Sequence, residues 1–474
     1  MRKFMNLAMV FLCAVLMPSY LIAGGSHSSG LKGDELSLVW IIPFCGVLLS
    51  LAIMPLLAPK FWHAHFGKIS LAWALISIWM IMDSFGFFVA LSEILDVYVH
   101  HFIPFIIFIL SLYVIAGGIK IDILTKPNPY FNTIFLGVTS FIASWIGTTG
   151  AAMLFIRPFL HVNQARDSKR HLVIFFIFLV CNIGGSLTAV GDPPLFLGFL
   201  NGVDFFWPTT HMFGPFLTVT IPLLCIFFFM DNRAFKKEGI STASVDGGDR
   251  FILKFSGRRN FLYLMLAVSA IILSGLWKTE SGITIYHTKI LFSDVFRDLA
   301  LLGLTILSLT RGNQNVRKEN KFSWAPFMEV LKVFAAIFVT AAPVIAILKA
   351  GSNGSLSSLV AMVNTPEGPN NFLYFWITGG LSSVLDNAPT YLVFFNLAGG
   401  DAEVLMTTLS KTLLAISAGS VFLGAMTYIG NAPNFMIKSI AESDGISMPS
   451  FFGYVAWSCA ILLPVFLLVS FIWL

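Results

Sequence analysis

Charge is what this sequence has least of. Asp, Glu, Lys and Arg make up 11% of its 474 residues, against 57% that are hydrophobic, whereas soluble domains carry about 25% charged residues. That deficit excludes a water-soluble fold. Polar stretches are scarce too: the one long example, Asp231 to Asn260, spans about 30 residues, which is linker length and not domain length. The five cysteines (Cys13, Cys45, Cys181, Cys225 and Cys459) all lie in apolar segments without metal-ligand spacing, so neither a disulfide framework nor a zinc site is indicated. His-Glu-x-x-His is missing, and Ala189-Val190-Gly191-Asp192 departs from Gly-x-Gly-Asp at its first position. Those two absences argue against membrane metalloproteases and aspartyl proteases, and the chain is expected not to be an enzyme. The formal charge of +5 does not point to nucleic acid, because the basic residues sit in short loops between apolar segments, where they orient a membrane protein.

Apolar runs, in contrast, fill almost the whole chain. About 20 residues of helix cross a bilayer core of roughly 30 Å, and windows of that kind predict spans near 36–58, 68–90, 95–117, 172–191, 211–230, 260–277, 289–310, 326–348, 407–430 and 451–474. Two more stretches, 131–156 and 371–397, are interrupted at Gly147-Thr148-Thr149-Gly150 and at Asp386-Asn387-Ala388-Pro389-Thr390. Re-entrant hairpins fit both. With the first as a hairpin, Lys60, Lys120, Arg166, Lys169, Arg258 and Arg317 fall on one side, which the positive-inside rule makes the cytoplasm; as a full span it would place half the basic loops outside. Residues 1–24 read equally as a signal peptide or a first transmembrane helix, and their simple layout suggests a bacterial inner membrane.

An internal repeat is present. Gly185, Thr188, Gly191, Pro194 and Phe196 recur as Gly424, Thr427, Gly430, Pro433 and Phe435, always 239 positions later. The same offset carries Ser144 onto Ser383 and the hairpin residue Thr148 onto Asn387. Repeat 1 is expected over 36–230 and repeat 2 over 260–474, joined by a cytoplasmic loop at 231–259. Each repeat holds an odd number of crossings, which inverts the second copy. The fold class expected is thus an all-α polytopic membrane protein of two inverted repeats, each with a re-entrant hairpin and a broken helix. Secondary transporters have this layout, with their sites where the repeats meet.

Helices that stop inside a membrane leave N–H and C=O groups to be satisfied by protein, water or ligand. Breaks are predicted at Gly191-Asp192-Pro193-Pro194 and Gly430-Asn431-Ala432-Pro433. Freed carbonyls there, with the hydroxyls of Thr188 and Thr427, could ligate a hard cation such as sodium. Asp83, Asp192 and Asp386 are carboxylates within apolar segments, where ionisable groups usually mark ion paths. For Asp192 and Asp386 the bland reading is a cap on a broken helix; for Asp83 it is a buried structural hydrogen bond. No Lys or Arg accompanies them in the broken segments, which suits sodium or a proton better than a multiply charged anion. A carboxylate kept from water also binds protons more readily, so that proton and metal ion compete. Arg157, His161, His171 and the His100-His101 pair lie near predicted span ends, where interfacial anchoring is expected.

These motifs resemble the ion transporter superfamily, which includes divalent-anion/sodium symporters, citrate permeases, arsenite permeases and NhaD-type sodium/proton antiporters. The resemblance covers residues 36–474. Ala143 to Gly150 looks like the first hairpin tip, and Asn182-Ile183-Gly184-Gly185 through Gly191-Asp192-Pro193-Pro194 like the broken helix after it. Leu381 to Pro389 is similar to the second tip of the antiporters, and Gly430-Asn431-Ala432-Pro433-Asn434 to the last broken helix. The resemblance implies ion or substrate roles for Thr148, Thr149, Asp192, Ser383, Asn387, Thr427 and Asn431, with Asp192 and Asn387 as sodium ligands. Two departures stand out: neither tip has the symporters' Ser-Asn-Thr, and Thr148-Thr149 replaces the antiporters' Asp-Asn. Sodium/proton antiport is the first expectation and sodium- or proton-coupled citrate or dicarboxylate transport the second. No cofactor is expected beyond sodium and protons as transported or coupling ions. The partners expected are membrane lipid and a small ion or carboxylate; nucleic acid is not among them, and a homodimer is left open.

Overall fold

The computed structural model describes residues 30–239, 252–277, 279–285, 288–366 and 368–474. The reading of residues 1–24 as a signal peptide or first helix lies outside them. Among the described residues seven helices are long and apolar enough to cross a membrane, and the protein is an all-α polytopic membrane protein.

Helix α1 (Ile42–Leu57) is followed at once by α2 (Pro59–Phe85), whose Pro59 suits the first helical turn. Gly86, at φ 86°, separates α2 from α3 (Phe87–Val97), which continues through a wide turn at Tyr98–Phe102 into α4 (Ile103–Ala116). The first interrupted stretch is two helices, α5 (Pro129–Ile146) and α6 (Thr148–Val162), hinged at Gly147 with φ 81°. Next come α7 (Arg170–Leu179), α8 (Pro193–Leu200) and the long α9 (Trp207–Glu238). The second half begins with α10 (Arg258–Leu276), α11 (Phe292–Arg311), the short α12 (Gln314–Glu319) and α13 (Ala325–Lys349). After α14 (Ser357–Val363), the second interrupted stretch gives α15 (Asn371–Val384) and α16 (Asn387–Leu397). The chain closes with α17 (Ala402–Met406), α18 (Ser410–Leu423), α19 (Ala432–Ser443) and α20 (Phe451–Trp473).

Some expectations shift. The spans expected over 172–191 and 407–430 stop early, at Leu179 and Leu423, and short tight turns at Ile183–Gly185 and Gly424–Met426 follow. The stretch expected to be loop from 231 to 259 is helical to Glu238 and carries a strand, β2 (Ile252–Ser256), which pairs antiparallel with β1 (Lys120–Leu124). Asp83 is exposed near the end of α2, where no buried hydrogen bond awaits it.

Burial shows where the core sits. From His171 to Leu179 in α7 and from Thr412 to Leu423 in α18 every residue is buried, as expected of helices apolar all round. These two helices are repeat mates. By contrast α1, α2 and α20 present Leu49, Leu71, Trp79 and Phe471 outward, the composition a lipid-facing surface needs. Between the halves the packing is crossed: α6 lies against α19, and α16 against α8. Each hairpin therefore rests on the broken helix of the other repeat. A buried polar network braces the first hairpin, in which Asp231 of α9 pairs with Arg166 at 2.9 Å and His171 at 2.8 Å and accepts from Asn132 Nδ2 at 2.9 Å. Arg166 also reaches Glu238 at 2.6 Å.

Candidate functional site at the meeting of the repeats

The repeat extends to individual hydrogen bonds. Thr188 Oγ1 donates to the Ser144 carbonyl and accepts from Val190 N at 3.2 Å; 239 residues on, Thr427 Oγ1 donates to the Ser383 carbonyl at 2.5 Å and accepts from Ile429 N at 3.1 Å. A hairpin tip is thereby stapled to each unwound segment. Gly185 and Gly191 are needed for the unwinding, since a Cβ on Gly191 would fall 2.1 Å from the Gly185 carbonyl oxygen; their mates Gly430 and Gly424 make the equivalent approach, at 2.6 Å.

At the centre is the carboxylate of Asp192, which is 1% exposed. Its Oδ1 accepts from Thr148 Oγ1 at 2.6 Å and from Asn431 Nδ2 at 3.0 Å, and its Oδ2 accepts from Asn387 Nδ2 at 2.5 Å. Thr148 and Asn387 are repeat mates on opposite hairpins, and Asp192 and Asn431 are themselves mates, separated by the repeat length of 239. The carboxylate therefore lies where the two halves meet. Asn431 Nδ2 is also shared with the Cys181 carbonyl at 3.0 Å.

Four helices begin at this point. Thr148 opens α6 and Asn387 opens α16, while Asp192 and Asn431 are the residues just before α8 and α19. Each helix N-terminus carries about +0.5 of an elementary charge, which accounts for a buried carboxylate that no Lys or Arg side chain touches among the described residues. Pro193 and Ala432-Pro433 set the first turns of α8 and α19, positions where the missing proline N–H would be unpaired in any case. Asp192 makes no capping bond with its own helix, so it is free to serve the centre.

Asp386 differs. It is buried, but its Oδ1 accepts from Ala388 N at 3.1 Å as the cap of α16, the bland reading of the two weighed from sequence. Ser383 turns its hydroxyl back to the Gly380 carbonyl at 2.7 Å and offers the unit only its own carbonyl. Thr188 and Thr427 have their hydroxyls engaged in the staples, where they act as clamps. Thr149 is half-buried beside the tip and shows no side-chain hydrogen bond.

Two residues were missed as site residues. Asn182 donates to the Ile177 carbonyl and to Asn434 Oδ1, both at 2.8 Å; Asn434 in turn donates to the carbonyls of Gly424 and Thr427, both at 2.9 Å. This amide pair links the unwound segments across the repeats. The signal was an asparagine closing the apolar run Leu172–Cys181. Asn182 Oδ1 and Asn387 Oδ1 are buried and accept no hydrogen bond; a methyl on Gly424 would lie 3.1 Å from Asn182 Oδ1 and 3.7 Å from the Asn387 amide nitrogen. One carboxylate with neighbouring amide and carbonyl oxygens is a donor set for a hard cation. Among the described residues no three His, Cys, Asp or Glu side chains gather as a metal-holding group.

Some of the basic residues expected to anchor at span ends have partners of their own. His171 is held by Asp231, His100 by Asp96 at 2.9 Å, and His101 stacks on Phe338. Arg157 and His161 line a cavity bounded by Lys120, Lys169 and Lys321.

No curated protein matches the chain significantly. A family model described as "Putative citrate transport" matches residues 33–474, almost the whole chain, which favours the citrate side of the resemblance over the NhaD-type antiporters. The chain belongs to that citrate transport family.

Proposed function

We propose that this transporter carries a citrate-like polycarboxylate coupled to sodium or protons, with Asp192 as the coupling-cation ligand. The observation that carries the reading is the convergence of four helix N-termini on one carboxylate. Their partial charges sum to about +2, more than Asp192 cancels, and exposed helix N-termini favour anions. A cation seated between Asp192, the Asn387 and Asn182 amide oxygens and nearby carbonyls would neutralise the fixed negative charge. With Asp192 offset in this way, the full positive field of the helix N-termini is available to a substrate carboxylate, which ties substrate binding to the cation. Thr148 and Asn387 reach the same carboxylate from opposite hairpins, so its loading acts on both tips together. Alternating access then moves the hairpin-bearing core against the remaining helices. The cell membrane of a bacterium is the setting proposed.

Sodium/proton antiport remains the second reading, favoured by the absence, among the described residues, of any Lys or Arg side chain bonded to Asp192. Proteoliposomes distinguish the two. Labelled citrate or succinate uptake that requires an imposed sodium or proton gradient, and is abolished by Asp192→Asn, is expected. Sodium-driven release of a pH gradient with no organic anion present, and no labelled uptake, would sink the carboxylate reading and establish antiport.

A further inference from the structure

Two cavities, each of about 520 Å³, lie outside the Asp192 shell. They correspond across the repeat: Met153 of α6 lines one and Leu392 of α16 the other, 239 residues apart. Their charges do not correspond. Asp34, Glu93 and Asp96 line the first, facing Lys349. The second is bounded by Lys120, Lys169 and Lys321 against Asp122, Glu319 and Asp444, with Arg157 set into its wall from the middle of α6.

Arg157 is the unusual member. Its Nη1 is buried without a partner, and Asp444, although on the same cavity wall, forms no ion pair with it. Lys120 is already held by Glu319 at 2.8 Å and Asp122 at 3.1 Å, whereas Arg157 is not committed to any acceptor among the described residues. At the repeat-related position the other hairpin has Asn396, which spends its donor on the Leu392 carbonyl at 2.8 Å. An arginine keeps its charge throughout the accessible pH range and presents a planar fork matched to a carboxylate. Arg157 is half-buried, with its Nη1 withdrawn from water and unpaired; a buried donor without an acceptor is costly, and a roomy cavity on its open side supplies the space for the missing acceptor.

We propose that Arg157 anchors a second anion site, in the cavity on the Lys169 face, that takes one carboxylate of a small polycarboxylate. Nine residues of helix separate Arg157 from the tip at Thr148, so the site lies about 13 Å from the Asp192 centre, a waiting position on the cytoplasmic path. The polycarboxylate identity rests on the proposed function; the anion site rests on the cavity and the unpaired guanidinium.

The test uses the full chain in lipid nanodiscs, with citrate binding measured by calorimetry in sodium-free, mildly alkaline buffer, so that the central site lacks its coupling cation. Citrate should still bind there, Arg157→Gln should weaken it by roughly tenfold or more, as expected for a charge-assisted pair, and Arg157→Lys should recover part of the loss. Citrate affinity unchanged by Arg157→Gln overturns the site. So does a response confined to anionic lipid added to the nanodisc, which would make the cavity a headgroup pocket. Wild-type protein that binds citrate through Arg157 but never transports it would refute the proposed function and uphold the anion site.

Discussion

A single carboxylate receives three donors in the centre of this protein, and that fixes what substitutions there should do. Asp192→Asn keeps the shape and removes the charge, so coupled transport should fall to background in proteoliposomes while the thermal melting temperature changes little. Asp192→Ala is a different experiment. It strands Thr148, Asn387 and Asn431 without their acceptor, at about 1–3 kcal/mol for each buried donor left unpaired, and the melting temperature should drop clearly. Thr148→Val preserves volume but loses the 2.6 Å bond that orients Oδ1; sodium or proton dependence should weaken roughly tenfold, and Thr148→Ser should restore it. At this scale the sequence was informative about charge and blind to direction. Asp192 and Asp386 read alike as carboxylates in apolar segments, and only backbone geometry shows that one caps its helix while the other faces the centre. Ser383 departs from its mate for a related reason: the repeat aligns its backbone with Ser144, but its hydroxyl donates to the Gly380 carbonyl, whereas that of Ser144 donates to the Gly184 carbonyl.

Helices that end within the core depend on glycines that let two backbones touch. A Cβ on Gly191 would meet the Gly185 carbonyl at 2.1 Å, whereas one on Gly380 meets nothing within 4 Å. Gly191→Ala should therefore cost about 3 kcal/mol or more, read as a lower melting temperature or loss of folded protein. Gly380→Ala, within α15, should add about 0.5–1 kcal/mol through helix propensity alone. The Arg166–Asp231 pair makes a further test: Arg166→Met leaves a buried carboxylate with His171 and Asn132 only, and should cost about 3–5 kcal/mol. Helices and breaks were legible because apolar length, Gly and Pro report directly on them. Where α7 ends was not, since Val180 and Cys181 are as apolar as the helix before them, and α18 runs five residues past the mate of Leu179, to Leu423; the unwinding that follows each is held by the tertiary staples of Thr188 and Thr427.

Across the whole molecule, crossed packing makes the halves interdependent, and the inversion expected of the second repeat would place equivalent loops on opposite faces. Gln164 and Glu403 are exposed repeat mates just beyond the two hairpins. In a cysteine-free background, a membrane-impermeant maleimide should label Gln164→Cys only from the cytoplasmic side and Glu403→Cys only from the other. Labelling of both from one side would refute the inversion. The repeat itself could be read from a dozen residues; that its two copies interlock, each hairpin on the other's broken helix, could not, because spacing along a chain says nothing about which neighbours it acquires.

The meeting of Asp192 with Asn431 has one more consequence. Two equal halves would bring two identical side chains together at that point. Paired asparagines would leave the centre with no charge, and paired aspartates 3 Å apart would have to share a proton. One of each gives a single negative charge shared by both copies. A difference at this one position thus decides whether the centre carries one negative charge, two or none.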